Sequence, residues 1–242
     1  MKKLLCIMLS CLVVLSCVPC SWADYDNEGR DGFTEAGAYL IDSIDDLKLL
    51  RDRVNAGTEP ENRYYRLEID MNLTQETSWE PIGYVNPFKG HFDGNNHTIY
   101  VNISRFGSYR DYDTDDWYNH RAGIFGWVSS SGYAVKNLKL NSTRMAATYV
   151  GGIAYGLRGG TIENCHVTGA LGHLNDRGTA SDSNNAGGIV AEMYGGTVRN
   201  CTFNGTAYAY AAAGGIAAEM YGGNIENCEV LSNLRYTFNP QQ

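Results

Sequence analysis

Two glutamates, Glu192 and Glu219, stand in identical surroundings, inside the phrase A-G-G-I-x-A-E-M-Y-G-G-x-[VI]-x-N-C that runs from Ala186 to Cys201 and again from Ala213 to Cys228. Copies stacked as neighbouring turns of one coil would bring the carboxylates to about 5 Å, close to the separation used by retaining glycosidases. Repeat copying generates such a pair by itself, however, and Gly156 fills the slot one coil earlier. The expectation is therefore a pair of surface carboxylates, with no catalytic residue and no enzyme.

A second group of acids lies at alternate positions, Asp111, Asp113, Asp115 and Asp116. The pattern opens like a calcium loop but lacks glycine at the sixth position and glutamate at the twelfth. Solvated acids are the simpler reading, a weak calcium site the other, and no further cofactor is implied. Tyr109, Tyr112, Trp117 and Tyr118 surround these acids; Asp176 and Asp182 lie in a later polar stretch, and Tyr208 and Tyr210 alternate with alanine. Rings beside carboxylates suit the faces of sugars or the surface of a protein. These residues form the candidate ligand-binding set, for a host or environmental glycan or protein.

Spacing along the repeat supports that choice. Leu140 to Gly151 and Phe203 to Gly214 are each 11 residues, whereas Ile103 to Gly123 and Val167 to Gly187 are each 20. The longer intervals predict two insertions that leave alternate coils at the same corner, and long loops on a rigid scaffold are where function concentrates.

The scaffold itself is written in ladders. Val135-x-Asn137-Leu138-x-Leu140, Ile162-x-Asn164-Cys165-x-Val167, Val198-x-Asn200-Cys201-x-Phe203 and Ile225-x-Asn227-Cys228-x-Val230 align without gaps. Alternating apolar residues around one asparagine predict two short strands joined by a sharp bend, with the asparagines as an internal hydrogen-bonded ladder. Paired glycines, Gly151-Gly152 and Gly159-Gly160 with their later copies, predict two more corners per coil. Leu138 occupies the slot of Cys165, Cys201 and Cys228, so that slot needs an apolar group; reduced, inward thiols are the first reading and a bridge between coils the second. No CxxC pair or histidine cluster accompanies them to hold a metal.

At the N-terminal side, Ser43 predicts a helix cap, Asp45 and Asp46 suit the positive end of the helix, and Gly57 ends it, with Leu47, Leu50 and Val54 as its apolar stripe. Such a helix would close the first coil. The last coil has no comparable cover, which suggests self-association or another partner at that end. Residues 1–23 read as a bacterial export signal cut after Ala23, with a lipid-anchored Cys17 as the alternative. Removal of two lysines with it leaves 17 basic against 27 acidic side chains, a balance of −10, which argues against nucleic acid and anionic membranes as partners. No later segment is long and apolar enough to span a bilayer.

The Gly-Gly-Ile...Gly-Gly-Thr-Ile-x-Asn-Cys units, with Trp79-Glu-Pro-Ile-Gly83 and Phe88-Lys-Gly-His-Phe-Asp-Gly-Asn-Asn-His-Thr-Ile99 before them, resemble GLUG-motif repeats. The resemblance spans residues 38 to 232. It implies secretion and surface exposure, as in haemagglutinin-like adhesins and the non-catalytic regions of IgA-cleaving metallopeptidases, whose H-E-x-x-H motif is missing here. The expected fold is all-β, a right-handed parallel β-helix of about six coils, with residues 24–57 as linker and capping helix and 58–242 as the coil. The expected function is an adhesin-like binding module, with a polysaccharide hydrolase or lyase and a structural spacer as alternatives.

Overall fold

The computed structural model describes residues 29–104, 120–172, 185–231 and, by backbone alone, 233–236. Every strand pairing among them is parallel, and the strands form three sheets that the chain visits in turn, which makes the protein a parallel β-helix. The main path of the first sheet has seven rungs, that of the second six and the third four. The expected coil number is met by the second sheet.

Apolar ladders run through the coil as the repeat spacing predicts. Val135, Ile162, Val198 and Ile225 are register partners on the first sheet, and Leu140, Val167, Phe203 and Val230 on the second. Leu138, Cys165 and Cys201 point into the same core, and all three described cysteines are free. The rows of the three sheets pack against one another in a single core, and their burial supplies the apolar transfer energy. The ladders end at Ile225 and Val230, both exposed on the last coil.

Asn137, Asn164, Asn200 and Asn227 take left-handed φ values of 52, 52, 53 and 51° at the bend between the first two sheets. Asparagine reaches this region at low cost. Asn164 donates to Asn137 at 3.3 Å and Asn137 to Asp93 at 3.0 Å, so among the described residues only the first step of the asparagine column is hydrogen-bonded, and Asn164, Asn200 and Asn227 are exposed rather than internal. The bend turns the asparagine outward so that the next residue can turn in. Of the paired glycines, Gly160, Gly196 and Gly223 are left-handed corners, whereas Gly187 answers a different need: a Cβ there would lie 1.8 Å from the Val190 carbonyl oxygen.

The helix spans Ile44–Asn55 and begins as predicted, with the Ser43 hydroxyl accepting from the Asp46 amide. Leu47, Leu50 and Val54 are buried against the first coil. The sheet already starts before the helix, because Tyr39–Ile41 pairs with Tyr64–Leu67. Among the described residues no helix is long and apolar enough to cross a membrane.

Candidate functional site

The two insertions do return to one place. Arg121 and Asn185, the first strand residues after residues 105–119 and 173–184, pair with opposite sides of Tyr149. On the outer face beside this corner, strands Phe125–Lys136, Ala154–Glu163 and Val190–Met193 have four consecutive buried residues each, 125–128, 154–157 and 190–193. A strand with one wet face alternates, so a run buried on both sides means that something covers the outside.

The cover is a satellite cluster of Trp127, Tyr155 and Ala191, with Tyr149 packed against it, separate from the main core. Trp127 meets Tyr155 edge-on at 4.8 Å between centroids, and Tyr155 meets Tyr149 edge-on at 5.8 Å. Trp127, Gly156, Glu192 and Glu219 share one register row. Arg158 places its guanidinium carbon 3.9 Å from the centre of the Trp127 ring, and Arg121 lies 4.5 Å from that of Tyr155, distances of cation–π contact.

Glu192 is the acid of this cluster. It is 7% exposed, and its Oε2 accepts from the hydroxyls of Tyr155 at 3.0 Å and Tyr194 at 3.4 Å. The expected surface carboxylate is thus a buried one, because Tyr155 of the preceding rung and Tyr194 just after it in its own both close on it. Burial pushes its pKa up; the two hydroxyls and Arg121 pull it down, Glu219 adds to the rise, and the net shift is upward. Burial likewise raises the Tyr155 phenol against the opposing pull of Arg121. Tyr194 stacks on Tyr221 at 4.8 Å, and Tyr221 donates to Glu219 at 2.7 Å.

Together Arg121, Trp127, Tyr149, Tyr155, Arg158, Glu192 and Tyr194 line a concavity of about 410 Å³, within the roughly 300–1,000 Å³ range of small-molecule clefts. Apolar ring walls, hydroxyls, guanidiniums and a carboxyl group converge there. The arrangement can bind a polar, ring-shaped ligand; Glu192 and Glu219 lie side by side on one face of the sheet rather than across a cleft.

The sequence-predicted site fares differently. Tyr109, Asp111, Tyr112, Asp113, Asp115, Asp116, Trp117, Tyr118, Asp176 and Asp182 lie outside the described residues. Tyr208, half-buried on the second sheet, pairs with Gly172, where the second insertion departs, and Tyr210 follows it at the exposed corner. Neither lines the concavity. Among the described residues no group of His, Cys, Asp or Glu could hold a metal ion. Outward positions of a coil carry no sequence mark that separates burial from solvation, so the lining residues do not stand out; the one signal is the row Trp127–Gly156–Glu192, a large ring placed over a glycine.

No family model matches the chain. It is 34% identical over 145 residues to halomucin of Haloquadratum walsbyi (strain DSM 16790 / HBSQ001), an alignment that takes in 55% of this chain and 1% of that protein. The crystal structure of a "putative immunoglobulin A1 protease" from Bacteroides ovatus is similar with a TM-score of 0.55, at 19% identity, over 86% of this chain and 70% of that one. The structural likeness supports the fold.

Proposed function

We propose that the chain is an exported, surface-associated β-helix that acts as an adhesin-like binding module, and that its ligand is a saccharide held in the concavity around Trp127 and Tyr155. The observation that carries this reading is the outer-face cluster itself. A coil needs no buried tryptophan, paired arginines and buried carboxyl group outside its core in order to fold. Carbohydrate rings offer apolar C–H faces to aromatic walls and hydroxyls to Glu192, Tyr194 and the guanidiniums, which is the mixture present here. The halomucin similarity, confined to 1% of that protein, is compatible with a unit that can also form a small part of a much larger chain.

A glycan array probed with the wild-type chain and with Trp127→Ala tests the proposal. Retention of one class of glycan by the wild type, lost in the variant while the circular dichroism spectrum is kept, is the expected result. Equal retention by both would remove the concavity from consideration.

The raised pKa of Glu192 gives one argument for a glycan-cleaving enzyme, with Glu192 as acid and Glu219 as nucleophile. Their side-by-side placement argues against it, because the two groups of a retaining glycosidase flank the scissile bond. Release of reducing ends from a bound glycan, abolished by Glu192→Gln, would favour cleavage over binding.

A further inference from the structure

We propose that the saccharide bound in this concavity is an acidic one, its carboxylate held by Arg121 and Arg158 beside Trp127. The inference rests on the carbohydrate reading above and adds the ligand's charge.

Four other described arginines, Arg51, Arg53, Arg66 and Arg199, pair with carboxylates, whereas Arg30 and Arg63 hold backbone carbonyls instead. Arg199 contacts Glu163 at 2.5 Å and Arg66 contacts Glu68 at 2.5 Å. Arg121 and Arg158 form no ion pair among the described residues, although they stand 5.7 and 3.9 Å from the centre of the same indole ring. Among the described residues the Nε of Arg121 is buried without a hydrogen-bond acceptor, a state it shares with the Nε of Arg63 and not with Arg158, the other arginine of the concavity. A buried donor without an acceptor carries a desolvation penalty that a ligand oxygen would relieve.

Glu192 feels the charge of Arg121 but forms no ion pair with it. Its hydrogen bonds come from Tyr155 and Tyr194, and no contact ties its oxygens to either guanidinium. Glu219 is likewise taken up by Tyr221. Two guanidiniums placed over aromatic rings are restrained in position, and a carboxylate gains charge-assisted bonds from them that a hydroxyl does not. The hexuronates and the sialic acids both supply a carboxylate on a sugar ring.

Isothermal titration calorimetry with two matched pairs tests this: trigalacturonate against its methyl ester, and 3′-sialyllactose against lactose. Binding of the acidic member of either pair at least about ten-fold tighter than its neutral twin is expected, and the pair that shows it identifies the source of the carboxylate. Arg158→Gln, a change at an exposed side chain, should lower that affinity about ten-fold and Arg158→Lys less, with the preference shrinking as salt rises. Equal affinity for acidic and neutral twins would overturn the acidic assignment and leave the carbohydrate reading standing. No binding of any of the four at millimolar concentration would overturn both.

Discussion

The indole of Trp127 lies directly over Gly156, whose missing side chain is what makes room for it: a Cβ at position 156 would fall 2.4 Å from both Cε3 and Cζ3 of the ring. The same row carries glutamate in the next two coils. Glycine in a slot that elsewhere holds a charged side chain is thus the seat of the aromatic wall, and the concavity begins there.

Gly156→Ala should therefore act on the site before it acts on the coil. The ring has to move, and overpacking of this kind costs about 1–3 kcal/mol. A shifted tryptophan emission maximum with a modest fall in the urea midpoint is expected, together with loss of glycan retention. Unchanged emission and binding would show that Trp127 does not need the space.

Glu192 gives a pH signature. A carboxyl group whose folded pKa lies above its ordinary 4.5 favours folding when protonated. Its contribution is present below that ordinary value and is lost as pH rises through the raised folded value. Glu192→Gln, neutral throughout, should thus gain in Tm relative to the wild type as pH rises from 4 to 7, measured by calorimetry at a series of pH values. A difference in Tm that does not change with pH would contradict the burial argument.

The asparagine bend is a question of backbone. At φ 52°, Asn164 holds a conformation that costs most L-residues roughly 1–2 kcal/mol. Asn164→Gly should be near neutral and Asn164→Ala destabilising by about that amount in urea denaturation. If both cost the same, the 3.3 Å bond to Asn137 rather than the left-handed turn is what the position supplies.

The thiol column should be chemically quiet. The hydrogen bond with Cys165 and burial push the Cys201 thiol well above its usual range, and Cys228 is pushed up by its contact with Cys201. Iodoacetamide should label the half-buried Cys228 first and leave Cys165 and Cys201 untouched until the chain unfolds. Replacement of Cys201 by valine adds bulk to a fully buried slot and removes the acceptor of the Cys165 amide, and should cost about 1–3 kcal/mol.

What could be read from the sequence was whatever repeats. The bends at Asn137 to Asn227, the inward cysteines and the stripe Leu47, Leu50 and Val54 each follow from spacing and side-chain type, because stacking forces equivalent residues into equivalent surroundings. The concavity does not repeat. It depends on Trp127 in one coil, Tyr155 and Arg158 in the next and Glu192 in the one after, joined by Arg121 and Tyr149 from another sheet. Contacts between unlike rungs leave no period, and burial on the outer face looks in sequence like an ordinary exposed strand. The same reasoning did place the corner correctly, since both insertions re-enter beside Tyr149.

The helix offers a test of how the coil is held together. Leu50 is fully buried between the helix and the first rungs, while Ser43 contributes the cap bond from the Asp46 amide and a 2.6 Å hydrogen bond to the Asp46 carboxylate. Ser43→Ala should cost about 1 kcal/mol and Leu50→Ala about 2–5 kcal/mol. In a solenoid each rung touches only its neighbours, so damage at one end need not reach the other. Hydrogen exchange in Leu50→Ala should then rise in Tyr39–Ile41, Tyr64–Leu67 and Met71–Leu73, while the rungs carrying Cys165 and Cys201 keep their protection. Uniform loss of protection along the coil would mean that the rungs fold as one cooperative block, with the N-terminal cap as part of it.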